Sequence, residues 1–133
     1  MGRQPDDSGT KTGFDLAERT AKFGEEVIRF CKGVPRSVIT EPLIRQLVRS
    51  GTSVGANYCE ADDAVSGKEF RQKIGTCKKE ARETKYWLRM IAAAEADCGD
   101  KARVLWQEAK EIHLIFASIF RKLSTKTPPK KPR

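Results

Sequence analysis

Four stretches of this chain repeat apolar residues at spacings of three and four, and that rhythm constrains the fold more than any other feature. Leu16, Thr20, Phe23, Val27, Phe30 and Val34 recur at 4, 3, 4, 3 and 4. Phe70, Ile74, Cys77, Ala81, Thr84, Leu88 and Ile91 do the same, as do Leu105, Ala109, Ile112, Phe116, Ile119 and Leu123. At 3.6 residues per turn such positions line one helix face, and the 3–4 alternation is the seam of a left-handed bundle. The expected fold is all-α, an antiparallel up-down four-helix bundle. Its longest rods run to roughly 25–30 residues, or about 40 Å at 1.5 Å per residue.

The second helix is the contested one. It is expected from near Thr40, read as its N-cap, with Glu41 and Pro42 in the first turn and Leu43, Ile44, Leu47, Val48, Val54, Tyr58 and Ala61 as its apolar positions. Residues 50–57, SGTSVGAN, are poor helix formers, yet the apolar period stays in phase across them. Continuous helix is therefore expected, with Gly51 and Gly55 forming a bare patch where another backbone comes close. Gly33 and Pro35 end the first helix. Ser66 and Glu69 fit a capping box that opens the third. Cys98 and Gly99 are expected to end it, and Asp100 to cap the fourth. Glu18 with Lys22, Lys22 with Glu26 and Glu25 with Arg29 read as solvent-side pairs one turn apart.

Domain organisation follows. Residues 1–12 are polar and aperiodic, read as a flexible N-terminal segment. Residues 13–124 form the bundle, and 125–133 a disordered basic Pro/Lys tail. No run of about 18 apolar residues exists, and the polar opening does not resemble a signal peptide, so a cytoplasmic protein without a membrane span is expected. Cys31, Cys59, Cys77 and Cys98 lack zinc-type spacing and read as reduced, mostly buried thiols.

Lys plus Arg number 26 and Asp plus Glu 18, a net charge of +8, of which Lys126, Lys130, Lys131 and Arg133 carry half. The excess suggests an anionic partner. On the third helix Arg71, Lys78, Arg82, Lys85 and Arg89 recur at 7, 4, 3 and 4 and share one face. A solvated face with local ion pairs such as Lys79 with Glu83 is the plain reading. The sharper one is a basic stripe tracking the phosphate backbone of RNA or DNA. Tyr58, Tyr86, Trp87 and Trp106 could stack on bases, although aromatics at helical spacing usually belong to core or interface.

Chemistry beyond binding finds little footing. A di-iron bundle needs Glu-x-x-His on two helices, and the single His113 follows Lys110. Glu60 and Glu80 could pair as acid and base, but no nucleophile, oxyanion site or phosphate loop accompanies them. No enzyme activity, metal or cofactor is expected. With the second and third helices as a hairpin turning near Ser66, Arg49 falls beside Glu83, Glu60 beside Arg71 or Gln72, Thr52 and Ser53 beside Lys79 and Glu80, and Asn57 beside Gly75. Arg49, Asn57, Glu60, Glu80 and Glu83 are therefore expected as a structural polar cluster fixing register. Trp106, His113 and Phe120 repeat every seven residues beside the seam of the fourth helix, Leu114 and Ile115 widen it, and Trp87 flanks the third. Trp87, Trp106, His113 and Phe120 are the expected oligomer interface.

Residues 49–60 (RSGTSVGANYCE) followed by Ala61, residues 66–70 (SGKEF) and residues 79–88 (KEARETKYWL), in that order, resemble the four-helix-bundle proteins encoded in intervening sequences of bacterial 23S rRNA genes. Accessory variability proteins of diversity-generating retroelements are similar. The likeness spans about residues 14–123. It implies a ring-like homo-oligomer, typically a pentamer. For the retroelement branch it also implies an adaptor that binds nucleic acid and a reverse transcriptase. The expected function is a non-enzymatic, oligomeric nucleic-acid-associated protein. The alternative is a protein-binding oligomeric scaffold that does not touch nucleic acid directly.

Overall fold

The computed structural model describes residues 7–126. Four helices follow in order: α1 (Asp7–Lys32), α2 (Thr40–Asp62), α3 (Gly67–Ala94) and α4 (Gly99–Lys126), with a 3-10 turn over Ala96–Cys98 between the last two. No strand occurs among the described residues. Helix α1 begins at Asp7, so the segment expected to be loose over 1–12 is helical from there on. Residues 1–6, and 127–133 of the expected tail, lie outside the described residues.

The predicted stripes are the core. All six residues of the first stripe are buried, five on α1 and Val34 just past its end, as are six of seven on α3, with Phe70 partly covered at its start. On α4, Leu105, Ala109, Ile112 and Phe116 are buried, while Ile119 and Leu123 pack against the core from its edge. Tyr58 meets Phe116 with ring centroids 5.7 Å apart. α1 packs on α2, α2 on α3 and α3 on α4, whereas α1 and α4 meet less extensively. There Arg19 bridges the gap, with Nε 2.8 Å from Glu108 and Nη2 2.8 Å from Glu111.

Helix α2 is unbroken through residues 50–57. Its glycines face α1. A Cβ on Gly51 would meet the methyls of Val27 at 2.9 Å, and one on Gly55 the carbonyl oxygen of Thr20 at 3.3 Å. Gly24 of α1 returns the contact, since its Cβ would lie 3.6 Å from the Cα of Thr52. Poor propensity is thus outweighed by backbone-to-backbone packing that larger residues would prevent. Thr52 consequently faces α1 rather than the α3 residues beside which it was expected.

The helix ends depart from expectation in instructive ways. Thr40 is not the N-cap of α2. The Ser37 hydroxyl accepts from the amides of Ile39 at 3.1 Å and Thr40 at 3.0 Å, and Thr40 Oγ1 accepts from the Ser37 amide at 2.9 Å. This is a capping box with threonine in the glutamate's place, and Thr40 also donates to the Pro35 carbonyl at 2.7 Å. At α3, Ser66 accepts from the Glu69 amide, but Glu69 reaches past Ser66 to the Val65 amide. Helix α3 stops at Ala94, short of Cys98 and Gly99, because its buried seam ends at Ile91 and Glu95 turns extended. Asp100 lies inside the first turn of α4, where it holds Arg103 at 3.3 Å.

All four cysteines are free thiols. Burial pushes Cys31 up to about 11 and Cys77 to about 12, and Cys77 Sγ donates to the Val54 carbonyl at 3.6 Å. Cys98 is half-buried and, contrary to expectation, Cys59 is exposed, one step off the stripe that buries Tyr58.

Candidate nucleic-acid interface

Two polar systems on α3 face opposite ways. The first lies against α2. Arg49 places Nη1 3.1 Å from Glu80 Oε1, Nη2 against Glu83 and Nε 3.0 Å from Gln46. Glu80 is only 9% exposed, so the guanidinium supplies the charge that makes its burial tolerable. One turn on, Thr84 donates toward the Glu80 carbonyl at 2.7 Å and lies 2.9 Å from the Ser50 hydroxyl at the buried centre of the interface. Glu83 also accepts from Trp87 Nε1 at 3.0 Å.

Asn57 and Glu60 do not join this cluster. Asn57 gives its amide to the carbonyl and hydroxyl of Ser53, both at 2.9 Å, about two turns along α2 from Arg49. Glu60 pairs with Lys73 at 2.5 Å rather than lying beside Arg71 or Gln72. Lys73 stays protonated more strongly than usual, chiefly through that hydrogen bond. Glu83, engaged by Arg49 and Trp87, makes no pair with Lys79.

The second system lies against α4. Here the heptad of basic residues on α3 interlocks with the heptad of rings on α4. Arg71 and Lys78 stack over Phe120 at 4.6 and 5.0 Å, and Lys85 and Lys110 over Trp106 at 5.3 and 5.9 Å. Between them His113 Nδ1 lies 3.1 Å from the Lys78 carbonyl, which can only accept, so the ring proton sits on Nδ1. Phe120 fills the notch at Gly75, where a Cβ would meet the ring at 3.0 Å. Gly75 therefore faces α4, not Asn57.

The expected interface residues Trp87, Trp106, His113 and Phe120 are half-buried within one protomer, and α3 takes up part of the surface of the last three. On α3 and α4 the large apolar side chains left outward are Val104, 70% exposed, Leu114 at 54% and Tyr86 at 53%, the last edge-on to Trp87. Spacing alone could not separate these from the rings, since both sit beside the seam.

Charge is segregated by these two systems. The acids of α3 are taken up by its N-terminal cap (Glu69) and by Arg49 (Glu80 and Glu83); those of α4 serve Arg19 (Glu108 and Glu111) and Arg103 (Asp100). Lys78, Arg82, Lys85 and Arg89 enter no ion pair among the described residues, and Arg82 and Arg89 are exposed. No group of three or more metal-ligating side chains occurs among the described residues. Nor is any described helix long and apolar enough to cross a membrane.

An antiparallel helical bundle with one acid-poor cationic face is the class these features define. Within it, the chain belongs to the 23S rRNA-intervening sequence protein family, whose model matches residues 13–123. It is also similar to the crystal structure of a protein of unknown function from the S23 ribosomal protein family of Bacteroides thetaiotaomicron. The TM-score is 0.71 at 26% identity, over 82% of this chain and 97% of that one. None of the curated proteins is significantly similar to it.

Proposed function

We propose that the protein is a non-enzymatic, oligomeric factor that binds the backbone of RNA or DNA through the cationic face of α3. The observation that carries this reading is the separation of charge: Lys78, Arg82, Lys85 and Arg89 share a face from which every acid of α3 is turned away. Stacking on Phe120 and Trp106 holds Lys78 and Lys85 in place, which lowers the entropy lost when a phosphate is met. A ring of protomers, five in the family resemblance, would present this face repeatedly and turn a weak contact into a firm one. The exposed Val104 and Leu114 supply apolar surface for such a contact.

Binding of this kind depends on salt and is indifferent to base sequence, because phosphate contacts position without reading bases. Mobility shift with single- and double-stranded RNA and DNA tests it: a complex in low salt that dissolves as salt rises supports the reading. No complex in low salt, or one indifferent to salt, rejects it. The second reading is a scaffold whose basic surface recruits an acidic or nucleic-acid-bound protein, a reverse transcriptase in the retroelement branch. Exposed Tyr86 favours it, and it requires no nucleic-acid complex at physiological salt.

A further inference from the structure

The cationic face of α3 is not uniform. Toward the N-terminal half of the helix it opens into a depression of about 540 Å³, formed around Arg71, Lys73, Gly75, Thr76, Lys79 and Phe120. The hollow lies beside the point where Phe120 packs against Gly75, and that ring forms one of its walls. The edge of an aromatic ring is its electropositive part, so a ring edge beside an anion is favourable. Three cations surround the hollow, and no carboxylate lines it.

Each cation is held differently. Arg71 is stacked on Phe120. Lys79 is exposed and in no ion pair among the described residues. Lys73 is tied to Glu60 from α2 at 2.5 Å. The Thr76 hydroxyl, on the wall, donates to the Gln72 carbonyl at 3.2 Å and can be redirected to a ligand.

We infer that this depression is a seat for a single phosphate group, the anchoring point of the α3 face, with Lys79 and Arg71 as its cations and Glu60 competing with the ligand for Lys73. The natural source of the phosphate, a nucleic-acid backbone or a nucleic-acid end, rests on the reading of the protein as a nucleic-acid binder; the seat itself does not.

The test uses the full chain and inorganic pyrophosphate, followed by amide NMR. Saturable shifts centred on Gly75 and Thr76 are expected. Lys79→Gln should weaken the apparent affinity about tenfold, the loss of one charge-assisted hydrogen bond. Glu60→Gln, which releases Lys73, should tighten it about threefold, on the scale of an exposed ion pair. Glu25→Gln makes the same change in net charge on α1, away from the hollow, and should leave affinity unaltered. No saturable binding, shifts centred on Arg82 and Arg89 instead, or equal gains from Glu60→Gln and Glu25→Gln would each overturn the seat. A second arm compares oligonucleotides with a 5′-phosphate and a 5′-hydroxyl. Tighter binding of the former identifies a terminal phosphate as the source, and equal binding that Lys79→Gln still weakens identifies the backbone. Pyrophosphate binding without any oligonucleotide binding keeps the seat and rejects the nucleic-acid reading.

Discussion

Phe120 of α4 lies in the notch that Gly75 leaves in α3, so near that a single added carbon would sit 3.0 Å from its Cε1. The same ring carries Arg71 and Lys78 above it, so one glycine sets both the packing of two helices and the placement of two cations. Gly75→Val should therefore displace the ring and lower stability by about 1–3 kcal/mol, the usual cost of overpacking. Thermal denaturation measures it, and an unchanged melting temperature would contradict this placement.

The glycines of the chain are not equivalent. Gly51 faces Val27 with no room for a Cβ, whereas Gly67 at the start of α3 has nothing within 4 Å. Gly51→Ala should destabilise by about 1–3 kcal/mol through overpacking. Gly67→Ala should be neutral or gain up to about 1 kcal/mol from the reduced entropy of the unfolded chain. A clear loss in the first and none in the second is the expected result of urea denaturation, and losses of equal size would count against the α1–α2 contact.

Arg49 and Glu80 form the nearest thing to a buried ion pair. Arg49→Ala leaves that carboxylate unpaired with little solvent, at a cost of about 2–4 kcal/mol, above what an exposed pair is worth. Combining it with Glu80→Gln should recover part of the loss. A double-mutant cycle in chemical denaturation checks this, and simple additivity of the two changes would deny the coupling.

Thiol chemistry separates the four cysteines. Cys59 is exposed and should react with a thiol reagent within the mixing time of an ordinary assay, while Cys31 and Cys77 should wait for unfolding. Their raised values, about 11 and about 12 against an ordinary 9.0, mean that the folded chain keeps protons the unfolded chain has lost above pH 9. Stability should accordingly fall as pH rises from about 9 toward 12, a loss that Cys77→Ala reduces. Equal reactivity of all four thiols in the native state would contradict the burial.

What the sequence made legible was whatever depends on one helix at a time. The apolar stripes, the unbroken α2 and the opening of α3 follow from spacing and local hydrogen-bonding chemistry. Arg49's nearness to Glu83 was within reach because an antiparallel hairpin pairs positions by simple counting. Choice among neighbours was not. Counting put Glu60 beside Arg71 or Gln72, yet it takes Lys73, and Asn57 turns to its own helix, because such choices depend on rotation by a fraction of a turn. The interlocked heptads escaped for the same reason. Arg71, Lys78 and Lys85 were visible as one stripe, and Trp106, His113 and Phe120 as another, but only packing showed that each faces the other.

The most direct test of a polyanion-binding face on α3 is the salt dependence of nucleic-acid affinity in the wild-type chain and in an Arg82→Gln/Arg89→Gln variant. Both arginines are exposed and outside any ion pair among the described residues, so the fold should be unaffected. The plot of log affinity against log salt should become shallower by at least roughly 1.4, about 0.7 for each single-strand phosphate that the variant no longer neutralises. An unchanged slope and affinity in the double variant would place the interface elsewhere and contradict a polyanion-binding role for this face.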